Sequence, residues 1–306
     1  MTLRVSVERI AVCGPGLTDW PRTASVLRGD ARYEEVAIVV PPPARLPPAE
    51  RRRVGPSVKL ALAVAEQLFA GDAAAATATA TVFTSSGGDS ENCHILCEAL
   101  TADEPQISPT RFTNSVHNAP SGYWSIAAGA RVPSSSLCVY DASFAGGLLE
   151  AALQAVVDER PVALIAYDVP YPFPLSDKRP MTAAFGSAWL LTPVADARRG
   201  TGCESAGTHS GDTLAEANAT DSGPAGTSAL ASRHALAELS FDNWTTGEPD
   251  LLADPALERL RAGVPAARCL PLLAAIARGG ESVVKLSGPP GQVLTVHLRA
   301  AAWPPR

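Results

Sequence analysis

At 306 residues with 46% hydrophobic side chains, the chain is long enough to bury a sizeable core, which excludes a disordered or fibrous polypeptide and leaves one large domain or two packed halves. A formal net charge of -6 argues against a nucleic-acid binder, which needs a basic face to neutralise phosphates. No apolar run reaches bilayer length, and the start, Met1 to Glu8, alternates like a strand instead of forming a signal-peptide core; no membrane contact and a cytoplasmic location are expected.

In chain order, Leu3 to Val12 reads as a first strand ending in the turn Cys13-Gly14-Pro15-Gly16, and Glu35 to Val40 as a second strand. A proline-rich connector from Pro41 to Glu50 and the basic run Arg51-Arg52-Arg53 follow. The basic run reads as a solvated face, with an acidic partner as the alternative. Pro56 to Phe69 is apolar nearly all round and is expected as a buried helix. Ala78 to Ser86, the turn Gly87-Gly88-Asp89 and Ser90 to Leu100 make a strand, a turn and a helix. Ser134 to Val157 repeats that pattern and leads into a core strand, Val162 to Asp168. Alternating strands and helices point to a layered α/β fold with a largely buried sheet.

Beyond Pro193 the character changes. Ala195 to Thr227 is rich in Gly, Ser, Thr, Ala and Asp and reads as a surface loop or disordered insertion. Helices are expected over Ser228–Leu239, Asp254–Arg261 and Ala266–Arg278, then strands over Ser282–Leu286 and Gln292–Leu298. The expected organisation is therefore 1–193, an insertion at 194–227, and a reduced C-terminal part at 228–306 packing on the same core.

The stretch from Ser134 to Gly147 is the most informative. It reads as an elbow of small residues between strand and helix, a device that in many α/β enzymes lifts a nucleophile above a helix N-terminus. Asp141 stands at the apex. A carboxylate suits the free amides and dipole of the helix, yet it is a poor acyl acceptor beside cysteine or serine. Cys138, three residues earlier, is read as a buried structural thiol in preference to a nucleophile. His117 is read as a general base or as a histidine hydrogen-bonded into a turn, the second being favoured. His209, His234 and His297 lack a motif that would orient an imidazole.

The six cysteines are scattered, as expected for reduced thiols. Cys93 and Cys97 share a helix face with His94 between them, but no second ligand pair sits at zinc spacing, so packing is preferred and no metal is expected. The Cys13-Gly14-Pro15-Gly16 turn falls short of a dinucleotide fingerprint, and no cofactor is expected.

Ser108 to Gly122, with Ser125-Ile126 and Gly129 to Ser134, resembles the N-terminal half of β-ketoacyl synthases, and Phe83 to Gly88 is similar to the glycine-rich turn near their active site. The resemblance covers about the first 193 residues and is nearest to chain-length-factor-like members of type II fatty-acid, polyketide and aryl-polyene systems. It implies a thiolase-like α-β-α-β-α layered fold with a reduced C-terminal half, and it puts Asp141 where the nucleophilic cysteine would stand.

An active synthase of that family uses the cysteine and two C-terminal histidines. Asp141 replaces the first, and no counterpart of the histidine motif is recognisable here. Groups that act as a unit are not individually dispensable. A non-condensing subunit paired with a complete synthase, and serving an acyl carrier protein, is the leading expectation. In the family the strand Ser134 to Tyr140 would run along the dimer interface, and Phe144, Asn118 and Gly146 would lie near the acyl chain, with core packing an equal reading for Phe144. Two alternatives stand beside it: residual acyl-transfer, hydrolytic or decarboxylating chemistry at Asp141 or Cys138 with His117, and a homodimeric binder of an acyl chain.

Overall fold

The computed structural model describes residues 3–194 and 235–301. Strand β1 (Arg4–Cys13) is followed by helices α1 (Trp20–Arg28), α2 (Pro48–Arg51), α3 (Pro56–Leu68) and α4 (Ala73–Ala78) and by β2 (Ala80–Thr84). Helices α5 (Ser90–Leu100), α6 (Pro109–Asn114) and α7 (Ala119–Ala128) lead to β3 (Ser134–Leu137), a 3-10 turn at Tyr140–Ala142, α8 (Ser143–Val157) and β4 (Val162–Asp168). Then come α9 (Leu175–Lys178), β5 (Phe185–Pro193), β6 (Ala237–Thr246), α10 (Pro255–Gly263), a 3-10 turn at Pro265–Cys269, α11 (Leu270–Arg278), β7 (Gly280–Ser287) and β8 (Gln292–Ala300).

The eight strands among the described residues form one mixed sheet in the order β3-β2-β4-β5-β1-β6-β8-β7. Strand β2 pairs in parallel with β3 and β4, and every other pairing is antiparallel. Strand period two distributes the core. On β4, Val162, Leu164 and Ala166 face one apolar cluster, while Ala163, Ile165 and Tyr167 face the other. The first cluster is completed by α1, α8, α10 and α11, the second by α3 and α7. With helices on both faces, β4 is buried throughout, which is why it reads as an unbroken apolar run.

Helix boundaries follow local chemistry. Asp19 Oδ1 accepts from Arg22 N at 2.7 Å to start α1, which ends at Gly29 with φ 83. Asp89 caps α5 through Asn92 N at 3.1 Å. Asp254 caps α10 through Ala256 N and Leu257 N.

Three expectations are corrected. Glu35 to Val40 forms no strand. Both neighbours of β1 are already taken, by β5 and β6, so this β-branched segment cannot pair with the strand it follows and is tied to the turn by Gly16 N–Val36 O. The helix expected to run to Leu239 is replaced at Ala237 by β6, where Ala237, Leu239 and Phe241 alternate inward and pairing with β1 and β8 outweighs the helix propensity of Ala and Leu. The helix expected from Ala266 begins as a 3-10 turn and becomes α-helical at Leu270. The insertion reading of 195–227, the start of the helix at Ser228, and Cys203, His209 and His234 lie outside the described residues. Among the described residues, no helix is long and apolar enough to cross a membrane.

Candidate functional site

Strands β2, β3 and β4 run parallel, so their carboxyl ends open onto one edge of the sheet, the place where α/β sheets present ligand-binding loops. Three loops meet there: Ser85 to Gly88 after β2, Cys138 to Ala142 after β3, and the segment from Val169 after β4.

Asp168, the last residue of β4, organises them. It is 3% exposed and accepts from Ser85 Oγ at 3.1 Å, Ser86 N at 2.8 Å, Ser86 Oγ at 2.8 Å and Ala266 N at 2.8 Å. Burial pushes its carboxyl up to about 6, although every one of those donors favours the charged form. The bond to Ala266 holds the start of the 3-10 turn at Pro265–Cys269, which carries Arg268.

The elbow is held from inside. Ser143 Oγ accepts from Val139 N at 3.0 Å and lies 2.6 Å from Tyr140 O and 3.2 Å from Ser85 O, carbonyls that share its single proton. Thr84 Oγ1 donates to Ser143 O at 2.9 Å. The residue in the left-handed region is Tyr140, with φ 50, a conformation that costs an aromatic side chain roughly 1–2 kcal/mol. Arg179 stacks on its ring, with the guanidinium carbon 3.5 Å from the centroid, a contact of about 0.5–2 kcal/mol that offsets the strain.

The Asp141 carboxylate is taken by two guanidiniums. Arg179 Nη2 donates to Oδ1 at 2.8 Å and Arg268 Nη2 to Oδ2 at 3.0 Å, while Arg268 Nη1 also donates to the backbone oxygen of Asp141 at 2.9 Å. Ion pairing lowers the nucleophilicity of a carboxylate that was already a weak acyl acceptor. Cys138 is exposed, which corrects the expectation of a buried thiol. Its Sγ lies 3.2 Å from Ser86 O. Partial desolvation and the charge of Asp168 raise the thiol, with Arg179 opposing, so the thiolate needed for attack is disfavoured.

His117 is half-buried with its ring against Gly88; a Cβ on that glycine would meet Nδ1 at 3.0 Å. The structure therefore brings His117 to the β2 loop of the site. Asn118 is exposed and precedes α7; its carbonyl accepts from Ser121 Oγ at 2.9 Å. Phe144 is 1% exposed and packs on Trp189 at 5.6 Å between ring centroids, inside the core. Gly146 lets α8 approach the elbow strand: a Cβ there would lie 2.9 Å from Val139 Cγ2. His297 pairs with Asp242 at 2.8 Å on the exposed face of β6 and β8.

Asp168, Arg179 and Arg268 were not singled out from the sequence. Asp168 alone carried a signal, a carboxylate closing an apolar run. Arg179 ends the polar run Ser176 to Arg179 and Arg268 stands between Ala267 and Cys269, and neither context points to Asp141. Among the described residues, no cluster of three or more His, Cys, Asp or Glu side chains forms a metal site.

The family described as beta-ketoacyl synthase, N-terminal domain matches residues 24–245. No curated protein matches the sequence. Among solved structures, a chain from the ketosynthase ApeO in complex with its chain length factor ApeC from Xenorhabdus doucetiae has a TM-score of 0.65 at 20% identity, covering 96% of this chain and 99% of that one. The ishigamide ketosynthase/chain length factor gives 0.65 at 14% identity, covering 97% and 99%. A type II polyketide acyl-carrier protein in complex with its ketosynthase gives 0.66 at 11% identity, covering 98% and 100%. At these identities the likeness carries the fold, a thiolase-like ketosynthase fold.

Proposed function

The chain belongs to the beta-ketoacyl synthase N-terminal domain family, and we propose that within it this protein is a non-condensing, chain-length-factor-like subunit that pairs with a catalytically complete synthase. The observation that carries this reading is the state of the elbow. Condensation needs a free nucleophile above the helix N-terminus, and Asp141 stands there bonded to Arg179 and Arg268. Neither Asp141 nor the raised thiol of Cys138 offers a competent acyl acceptor.

Pairing is supported by the sheet edge. Among the described residues β3 is a terminal strand of the sheet, and an unpaired strand edge is a template for another chain. Helices α7 and α8 flank it. On α8, Gln154 donates to Ser135 Oγ at 3.0 Å, and Leu153 and Val157 lie on the adjoining flank. Val157 is 74% exposed and Ile126 of α7 51%, apolar side chains that a partner on this edge would cover. A synthase partner covering this edge would bury it, and the acyl carrier protein would deliver the chain to the shared assembly.

Co-expression with a complete synthase and its acyl carrier protein tests the reading. A stable heterodimer whose product length changes when this chain is omitted is the expected result. Failure to form the complex, together with products indifferent to its presence, would overturn it. Turnover of an acyl thioester by the isolated chain, lost on Asp141→Asn, would instead favour residual acyl chemistry.

A further inference from the structure

We propose that Arg179 and Arg268 form a carboxylate-binding site at the elbow, that Asp141 is its built-in occupant, and that a carboxylate group from outside can exchange with it. The inference does not depend on whether the chain pairs with a synthase.

Among the described residues, the two guanidiniums share one ion-paired carboxylate, that of Asp141. Both arginine side chains are largely buried, 16% and 19% exposed, whereas Asp141 is 38% exposed. The cations are therefore the fixed part and the anion the exchangeable part. Among the described residues, each arginine also keeps a buried Nε–H without an acceptor, so Asp141 alone does not saturate the donors of the pair. Arg179 is drawn below its ordinary value, first by burial and then by the nearby Arg268.

The site is pre-set before any ligand arrives. The Asp168–Ala266 bond fixes the turn bearing Arg268, and Tyr140 and Tyr171 lie 3.5 and 5.6 Å from the Arg179 guanidinium carbon. Arg268 lines a cavity of about 280 Å³ with Arg261, Glu248 and the Gly288–Gly291 turn. Arg261 is already neutralised by Glu258, at 2.7 and 2.6 Å, whereas Arg268 is held by Asp141. The two guanidiniums are spaced to take one oxygen each of a single carboxylate, as Oδ1 and Oδ2 of Asp141 show, which makes a carboxylate the fitting occupant. No covalent step is involved: one carboxylate replaces another, and no proton or electron moves.

Chemical rescue reads this directly. Asp141→Ala removes a group of the size and charge of acetate, so acetate should raise the melting temperature of that variant saturably, at least about tenfold more tightly than any effect on the parent, whose tethered carboxylate competes. Sodium chloride and inorganic phosphate at matched ionic strength serve as controls. Adding Arg268→Gln to Asp141→Ala should abolish the response, and Asp141→Asn, which fills the space without charge, should not respond. An acetate effect no larger than that of chloride, one equalled by phosphate, or one surviving Arg268→Gln overturns the proposal. Should Asp141→Ala fold only when acetate is present, that also supports it; should it fold in neither condition, Asp141→Ser is judged by the same criteria.

Discussion

Arg268, from the turn between α10 and α11, binds Asp141 twice, through the backbone oxygen at 2.9 Å and the carboxylate at 3.0 Å. The C-terminal part of the chain thereby clamps an elbow built by the N-terminal part. Removing the clamp with Arg268→Ala should cost about 1–3 kcal/mol, because hydrogen bonds to a charged group are lost and Asp141 keeps only Arg179. Urea unfolding measures the loss, and amide exchange should quicken at Val139 to Ser143 before it does elsewhere. An unchanged midpoint with unchanged exchange would show that the clamp is incidental.

The buried carboxyl of Asp168 gives a pH signature. Its value rises from 3.8 to about 6 in the folded protein, so between these values the folded state holds a proton that the unfolded chain has released. The Asp168 contribution to stability is therefore fully present below about 4 and is lost as pH rises through about 6. A carbon-detected titration of the Asp168 carboxyl should show a midpoint near 6. A midpoint at the ordinary carboxylate value, about 3.9, would contradict the account.

Gly147 lets α8 lie against the sheet. A Cβ there would stand 2.7 Å from Thr84 Cγ2 and 3.1 Å from Leu164 Cδ1. Gly147→Val should therefore destabilise by about 1–3 kcal/mol through overpacking, whereas Gly122→Ala, where a Cβ meets nothing within 4 Å, should not. Thermal unfolding of the two variants side by side makes the comparison.

Cys138 is exposed yet carries a raised thiol. Iodoacetamide near neutral pH should alkylate it more slowly than a free cysteine, with the rate climbing as pH approaches the thiol's own range. Peptide mapping of the labelled protein follows this, and rapid labelling at neutral pH would revive Cys138 as a nucleophile.

What could be read in the sequence divides along the range of the interactions involved. Helix α5 and strand β4 have the bounds their patterns announce, because Asp89 caps one and the other is apolar throughout. The elbow, too, is a local pattern. Glu35 to Val40 looked like a strand because propensity is local, but strand formation needs a free neighbour and β1 had none. The same holds in reverse for Ala237 to Phe241, whose partners are β1 and β8. At the site, Asp141 and His117 were legible, whereas Arg179 and Arg268 reach Asp141 from 38 and 127 residues away. No spacing rule connects such positions; only the folded sheet does.

Native mass spectrometry of this chain co-expressed with a complete synthase bears most directly on the account. The prediction is a one-to-one heterodimer that dissociates when Val157→Glu and Leu153→Glu place charge beside β3, with an acyl adduct on the synthase and none on this chain. A chain that stays unpaired, or that itself carries the acyl adduct, would contradict it.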